Sequence, residues 1–142
     1  MTVWVLGTVV AVGLVVSFLT LCSSLSDPYN SFGNWSPEKQ VEAASVIAVG
    51  EWQKSGSTLK CIISEILKQA PNTAFYYKVG EEIRAERRPV RENIDYGDGE
   101  VMFFTGSPPT HRFSASIRGN RISGMGDMPM DELRRLIHQS PK

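Results

Sequence analysis

Ser45-Val46-Ile47-Ala48-Val49-Gly50-Glu51-Trp52 and, after a Ser55-Gly56-Ser57 turn, Thr58-Leu59-Lys60-Cys61-Ile62-Ile63-Ser64-Glu65-Ile66-Leu67 are the stretch on which the fold depends. The first run is rich in β-branched residues and opens without a polar position, as a strand buried on both faces does. In the second, Leu59, Cys61 and Ile63 recur at every other residue and share one strand face. Two such runs joined by a short glycine-containing turn predict a β-hairpin.

Upstream of the hairpin, Ser36-Pro37-Glu38-Lys39 is a helix start. Ser36 can cap, Pro37 suits the first helical position, and Glu38 lies at the positive end of the helix dipole. The helix is expected to end near Ala44. Downstream, Gln69 to Thr73 closes the hairpin, and Phe75-Tyr76-Tyr77-Lys78-Val79 is expected as a third strand, with Phe75, Tyr77 and Val79 on one face. Residues 80–99 carry Arg84, Arg87, Arg88 and Arg91 among Glu81, Glu82, Glu86 and Glu92, around Pro89. This segment is expected as a long exposed loop, with at most a brief strand at Glu82–Arg84.

Asp98-Gly99 is a turn pair, and Glu100–Thr105 reads as a fourth strand. After a Gly106–Thr110 turn, residues 111–117 alternate, with Phe113, Ala115 and Ile117 inward and Arg112, Ser114 and Ser116 outward. A turn at Arg118-Gly119-Asn120 leads to a short strand at Arg121–Ser123. The chain ends in a helix opened by Pro129, with Asp131 and Glu132 in its first turn and an apolar stripe of Met130, Leu133, Leu136 and Ile137. Five to six short strands between two short helices predict a mainly-β (α+β) domain, a small closed or nearly closed barrel.

The run Glu38 to Trp52, followed by Cys61 to Lys68, resembles the opening of exported OB-like small β-barrel domains. Their pattern is a short helix, a strand ending in glycine, a hairpin and a strand ending near Glu-x-Leu-Lys, here Glu65-Ile66-Leu67-Lys68. Val79-Gly80 and Val101-Met102-Phe103-Phe104 fall where such barrels place a turn and a later strand. The resemblance spans most of residues 36–137 and implies a barrel. Gln69 stands where the pattern has glycine. The N-terminal cysteine of the netrin-type protease inhibitors of similar shape is missing, so no residue role is carried over.

No charged side chain precedes Asp27. Residues 1–26 reach the roughly 20 apolar residues that span a bilayer as a helix. Three readings stand together: a single-pass transmembrane anchor; a signal peptide cleaved after Ser24-Leu25-Ser26; or a lipid anchor on Cys22, preceded by the bulky Leu21. Neither flank carries Lys or Arg for the positive-inside rule to count; the acidic Asp27 and the size of the C-terminal part favour export of residues 27–142, which would be periplasmic or extracellular, and secreted if the segment is cleaved. Residues 27–35 read as a turn-rich linker and 36–142 as the barrel domain.

The 15 Lys and Arg and 15 Asp and Glu give no net charge. This argues against a nucleic-acid-binding domain, which carries a basic excess, and against a polybasic grip on lipid. Of the two cysteines, Cys22 and Cys61, only Cys61 lies in the domain, so the fold must stand without an internal disulfide.

Arg84, Arg87, Arg88 and Arg91 are the candidate binding residues. Guanidinium groups form bidentate bonds to phosphates and carboxylates, so the cluster could grip phosphate, lipid headgroups or an acidic partner. The alternative is a solvated segment neutralised by its own glutamates. Asp95, Asp98 and Glu100 lack the spacing of a calcium loop and read as a hairpin turn. His111 and His138 are far apart in sequence, and Cys61, for which the sequence indicates no catalytic base, reads as a small core residue. No Gly-x-Ser-x-Gly elbow is present. No catalytic residue, metal set or cofactor is expected.

The functional expectation is a non-enzymatic, membrane-tethered binding or scaffold module of the cell envelope, with a protein partner. One alternative is a small-ligand sensor or enzyme built on the Arg84–Arg91 segment. A second is OB-type nucleic-acid binding, which would need Trp52, Phe75, Tyr76, Tyr77 and their neighbours exposed beside a basic groove.

Overall fold

The computed structural model describes residues 31–141. The expected targeting segment 1–26, including Cys22, and the first part of the expected linker lie outside the described residues. No helix among the described residues is long and apolar enough to cross a membrane.

The domain is mainly β: an open antiparallel sheet of seven strands with two helices. A 3-10 turn, Phe32–Asn34, precedes α1, Pro37–Ala43. Ser36 caps α1, its hydroxyl accepting from the Lys39 N–H at 3.4 Å. The hairpin forms as expected from β1, Val46–Ser55, and β2, Thr58–Gln69. Gly56 takes φ +62° in the two-residue turn, which an L side chain would strain. Then come β3, Glu82–Pro89; β4, Gly99–Thr105; β5, Thr110–Arg118; β6, Arg121–Ile122; and β7, Met128–Pro129. The chain closes with α2, Met130–Gln139.

Three expectations are corrected. The barrel does not close. The strand order is β3-β2-β1-β4-β5-β6-β7, which leaves β3 and β7 as opposite edges. Closure requires two edges able to pair along a common length. β7 offers only two residues, one of them a proline without an N–H.

Phe75–Val79 is not a strand. The segment crosses the sheet face and joins the ladder only at Gly80, whose N–H donates to Ile63 O at 2.8 Å. Its period-2 pattern has another cause. Phe75 and Tyr77 pack edge-on to one another, and Phe75 packs likewise on Phe104, while Tyr76 and Val79 stay exposed.

Within the arginine-rich segment the brief strand expected at Glu82–Arg84 extends to Pro89 and carries Arg84, Arg87 and Arg88, while residues 90–98 lie outside any strand. Leu59 pairs with Arg88 and Cys61 with Ile83, so residues 84–87 bulge out opposite Lys60 alone. A run of charge is compatible with an edge strand, where it also discourages pairing with other chains.

The sheet is buried on both faces of its central strands. On one face, Ile47, Val49, Val101, Phe103, Ala115 and Ile117 lie under the helices, whose Val41, Met130, Leu133 and Leu136 complete that core. Phe32, inside the stretch read as linker, is buried there against Phe103 and Phe113. The buried Gln40 holds the turn in place, its Nε2 donating to Phe32 O at 2.9 Å. On the other face, Val46, Ala48, Cys61, Ile63, Ile83, Met102 and Phe104 pack beneath Phe75 and Tyr77.

Bulges adjust which side chains meet. The β1–β2 register shifts between Val49 and Gly50, so Glu65 pairs with Val49 and turns toward the helical side. There it meets Arg134 of α2, Nη2 donating to Oε2 at 2.8 Å. A second bulge, at Phe103/Phe104 in the β4–β5 ladder, brings His111 opposite Phe104.

Candidate functional site

β4 carries a carboxyl group into the core. Glu100 pairs with Gly50 on β1 and Ser116 on β5. It shares its sheet face with Met102 and Phe104, since side chains alternate along a strand. The Glu100 side chain is 4% exposed. Its Oε2 accepts from Arg88 Nη2 at 3.4 Å, and its Oε1 has no hydrogen-bond partner. The same Nη2 reaches Glu86 Oε2 at 3.5 Å. Both distances lie beyond the usual 2.7–3.2 Å of an N–H···O bond, so the guanidinium serves both carboxylates loosely.

Aromatic rings flank this cation. The Arg88 guanidinium carbon is 5.0 Å from the Trp52 ring centroid and 5.8 Å from that of Tyr96, within the range of cation–π attraction. The two ring centroids are 6.4 Å apart, with the planes tilted by 58°. Tyr96 is held by its hydroxyl donating to Pro89 O at 3.1 Å. Asp95 Oδ1 accepts from the Gly97 N–H at 2.8 Å and Asp98 Oδ2 from the Gly119 N–H at 2.6 Å, which fixes the turn that carries Tyr96. Trp52 Nε1 is buried without a partner. Glu100 Oε1 and Trp52 Nε1 are thus two unanswered polar atoms in one cluster, an acceptor and a donor. An unanswered buried polar atom costs about 1–3 kcal/mol.

The electrostatics follow from this packing. Burial, then the charge of Glu86, pushes the Glu100 carboxyl up from 4.5 to about 7; Arg88 opposes the rise, and a hydrogen bond that the protonated carboxyl makes with Glu86 adds to it. Burial, with Glu100 and Glu86 adding to it, pushes the Cys61 thiol up to about 12. Such a thiol is protonated and a poor nucleophile, so Cys61 is a core residue. Its sulfur occupies the space above Gly50, where an added Cβ would sit 2.3 Å from Sγ.

The four sequence-predicted arginines do not form one site. Arg88 enters the cluster just described. Arg87 pairs on the surface with Glu82, its Nη2 donating to Oε2 at 3.1 Å, and holds that carboxyl below its usual range. Arg84 lies exposed in the bulge and Arg91 exposed beyond the strand. The acidic turn is used structurally: besides the turn bonds, Asp95 Oδ2 accepts from Arg118 Nη1 at 2.6 Å. Among the described residues no group of His, Cys, Asp and Glu is placed to hold a metal.

Sequence reasoning missed Glu100, Trp52 and Tyr96 as partners of Arg88. One signal was present: Glu100, Met102 and Phe104 alternate, so a carboxylate stands in phase with a buried face. The bulge at Phe103/Phe104 also brings His111 Nε2 to 2.8 Å from Ser114 Oγ. Burial lowers the His111 pKa, favouring the neutral imidazole. A neutral imidazole beside a hydroxyl is half of a nucleophilic arrangement. No carboxylate hydrogen bond to Nδ1 accompanies it among the described residues, and the ring stacks edge-on against Phe104 at 5.5 Å.

Two clefts lie elsewhere. One, of about 330 Å³, runs between α1 and α2 beside Glu38, Val41, Glu42 and Leu136. The other, of about 270 Å³, lies between Trp35 and Met125. Neither is lined by Arg84, Arg87, Arg88 or Arg91. Compared with models of protein families, with curated proteins and with solved structures, the chain matches none.

Proposed function

We propose that the protein is a membrane-tethered, extracytoplasmic binding module of the cell envelope, and that it binds a protein partner through the β3 edge and the cluster beneath it. Residues 1–26 are the tether in this reading, on the strength of an apolar run of spanning length. The observation that carries it is the Trp52–Glu86–Arg88–Tyr96–Glu100 cluster. Polar groups left without partners under a partly exposed arginine are what an incomplete recognition surface presents. Catalysis would require a positioned nucleophile or acid–base pair facing a substrate cavity, and the cluster offers neither.

The test is site-specific photo-crosslinking of the full chain in its native membranes. A photoreactive residue replacing Arg91, beside the cluster, is expected to capture one discrete protein. The same residue replacing Arg135 on α2 is expected to capture a different set or nothing. Identical adducts from both positions, or none from position 91, would remove the reading. So would recovery of the chain in the soluble cytoplasmic fraction.

A further inference from the structure

Arg88 is a poor match to the place it occupies. Two carboxylates, Glu86 and Glu100, and two rings, Trp52 and Tyr96, surround one guanidinium. A guanidinium offers five N–H donors in a rigid fork. The hydrogen bonds from Arg88 to these carboxylates come from Nη2 alone, one to each, and leave Glu100 Oε1 bare. Its backbone is held by the pairing with Leu59 on β2. At the same time its side chain is 40% exposed, so the cluster is open to solvent on the arginine side.

Two aromatic rings beside one buried carboxyl, Glu100, and one partly exposed carboxyl, Glu86, offer the chemistry that recognises an organic cation. We propose that this cage is a recognition site for a guanidinium group, an arginine of the partner protein, and that Arg88 occupies it in the free domain as an internal stand-in. The partner's arginine enters from the exposed side, takes up Glu100 Oε1 as well as Oε2, and displaces Arg88 to solvent. The inference rests on the binding-module reading for the identity of the partner. The cage chemistry can be measured without any partner.

A tethered group competes at an effective concentration in the millimolar range. Removing Arg88 should therefore unmask the site to a free probe. The full chain in detergent micelles is titrated with methylguanidinium chloride, following the Trp52 indole N–H by NMR, with that resonance assigned through Trp52→Phe. Arg88→Ala and Arg88→Met both vacate the head-group position, and Met keeps the aliphatic stem packed. In these variants the Trp52 signal is expected to shift saturably. The half-point should lie about tenfold or more below that of the wild type, which must first release Arg88.

N-methylurea, planar but neutral, is expected to have no effect. Arg88→Met/Glu100→Gln should lose the response to methylguanidinium. Failure of both folded single variants to respond overturns the proposal, and so does an undiminished response in the double variant. A wild-type chain that never responds, up to the highest concentration at which it stays folded, overturns the exchange of Arg88. Saturable binding in the variants without any captured partner would remove the binding-module reading and leave the cage standing. A captured partner without methylguanidinium binding would do the reverse.

Discussion

Replacing Glu100 by Gln tests the electrostatics of the buried face directly. Gln has the shape of Glu and cannot ionise. Burial, then the charge of Glu86, raises the Glu100 carboxyl from 4.5 to about 7 in the fold, against the opposing pull of Arg88. Below about pH 4.5 the carboxyl is protonated in both the folded and unfolded chain, and its titration has no effect on stability. Between those values the unfolded chain releases the proton while the folded chain keeps it. The folded state then binds more protons, so stability falls as pH rises. Above about pH 7 both states are ionised and the destabilisation is complete.

At about 1.4 kcal/mol per pH unit, the interval from 4.5 to about 7 amounts to about 3 kcal/mol. Urea unfolding of the wild type and Glu100→Gln, followed by circular dichroism at a series of pH values from about 4 to about 8, reads this out. The stability of the wild type relative to the variant should drop by about 3 kcal/mol across the series. The attraction of Arg88 for the ionised carboxylate is already contained in the shift to about 7 and adds no separate slope. A difference that stays flat with pH, or rises, would refute the placement of Glu100 as a buried acid beside a second carboxylate.

Gly50→Ala should destabilise the domain by about 1–3 kcal/mol, because the new methyl meets Cys61 Sγ at 2.3 Å and Met102 Cε at 3.0 Å. Adding Cys61→Ala should recover part of that loss in the same urea titration, and no recovery would place the strain elsewhere. The Cys61 thiol, fully buried and raised to about 12, should resist a colourimetric thiol reagent in the folded domain and react once the domain is unfolded. Rapid labelling under native conditions would contradict the closed face under Phe75 and Tyr77. For Glu65 and Arg134, which join β2 to α2 while both remain partly exposed, a double-alanine cycle should give a coupling of about 1 kcal/mol or less. A larger value would mean that the pair is shielded from water.

Much of the secondary structure was legible because it depends on local chemistry. The serine cap and proline before α1, the hairpin turn at Gly56, the alternation in β5 and the stripe on α2 each act within a few residues. The arginine-rich segment and Phe75–Val79 were misread for one shared reason. A period-2 pattern reports alternating burial, and a segment lying across a sheet face can alternate as a strand does. A charged strand at an edge needs no such pattern, since neither face of its bulge is buried.

The sequence by itself determined a mainly-β domain led by an α1–hairpin unit, a neutral charge balance and a fold that does without an internal disulfide. These follow from local propensity and from counting, and neither depends on which elements become neighbours. The tertiary structure decided what is joined across long stretches of chain. It left the sheet open with β3 and β7 as its edges, used register bulges to send Glu65 to the helices and His111 to Ser114, and brought Trp52, Glu86, Arg88, Tyr96 and Glu100 into one cluster. Contacts of that kind depend on strand order and register. A shift of one residue in register exchanges one sheet face for the other, and that choice is set by how the whole core packs.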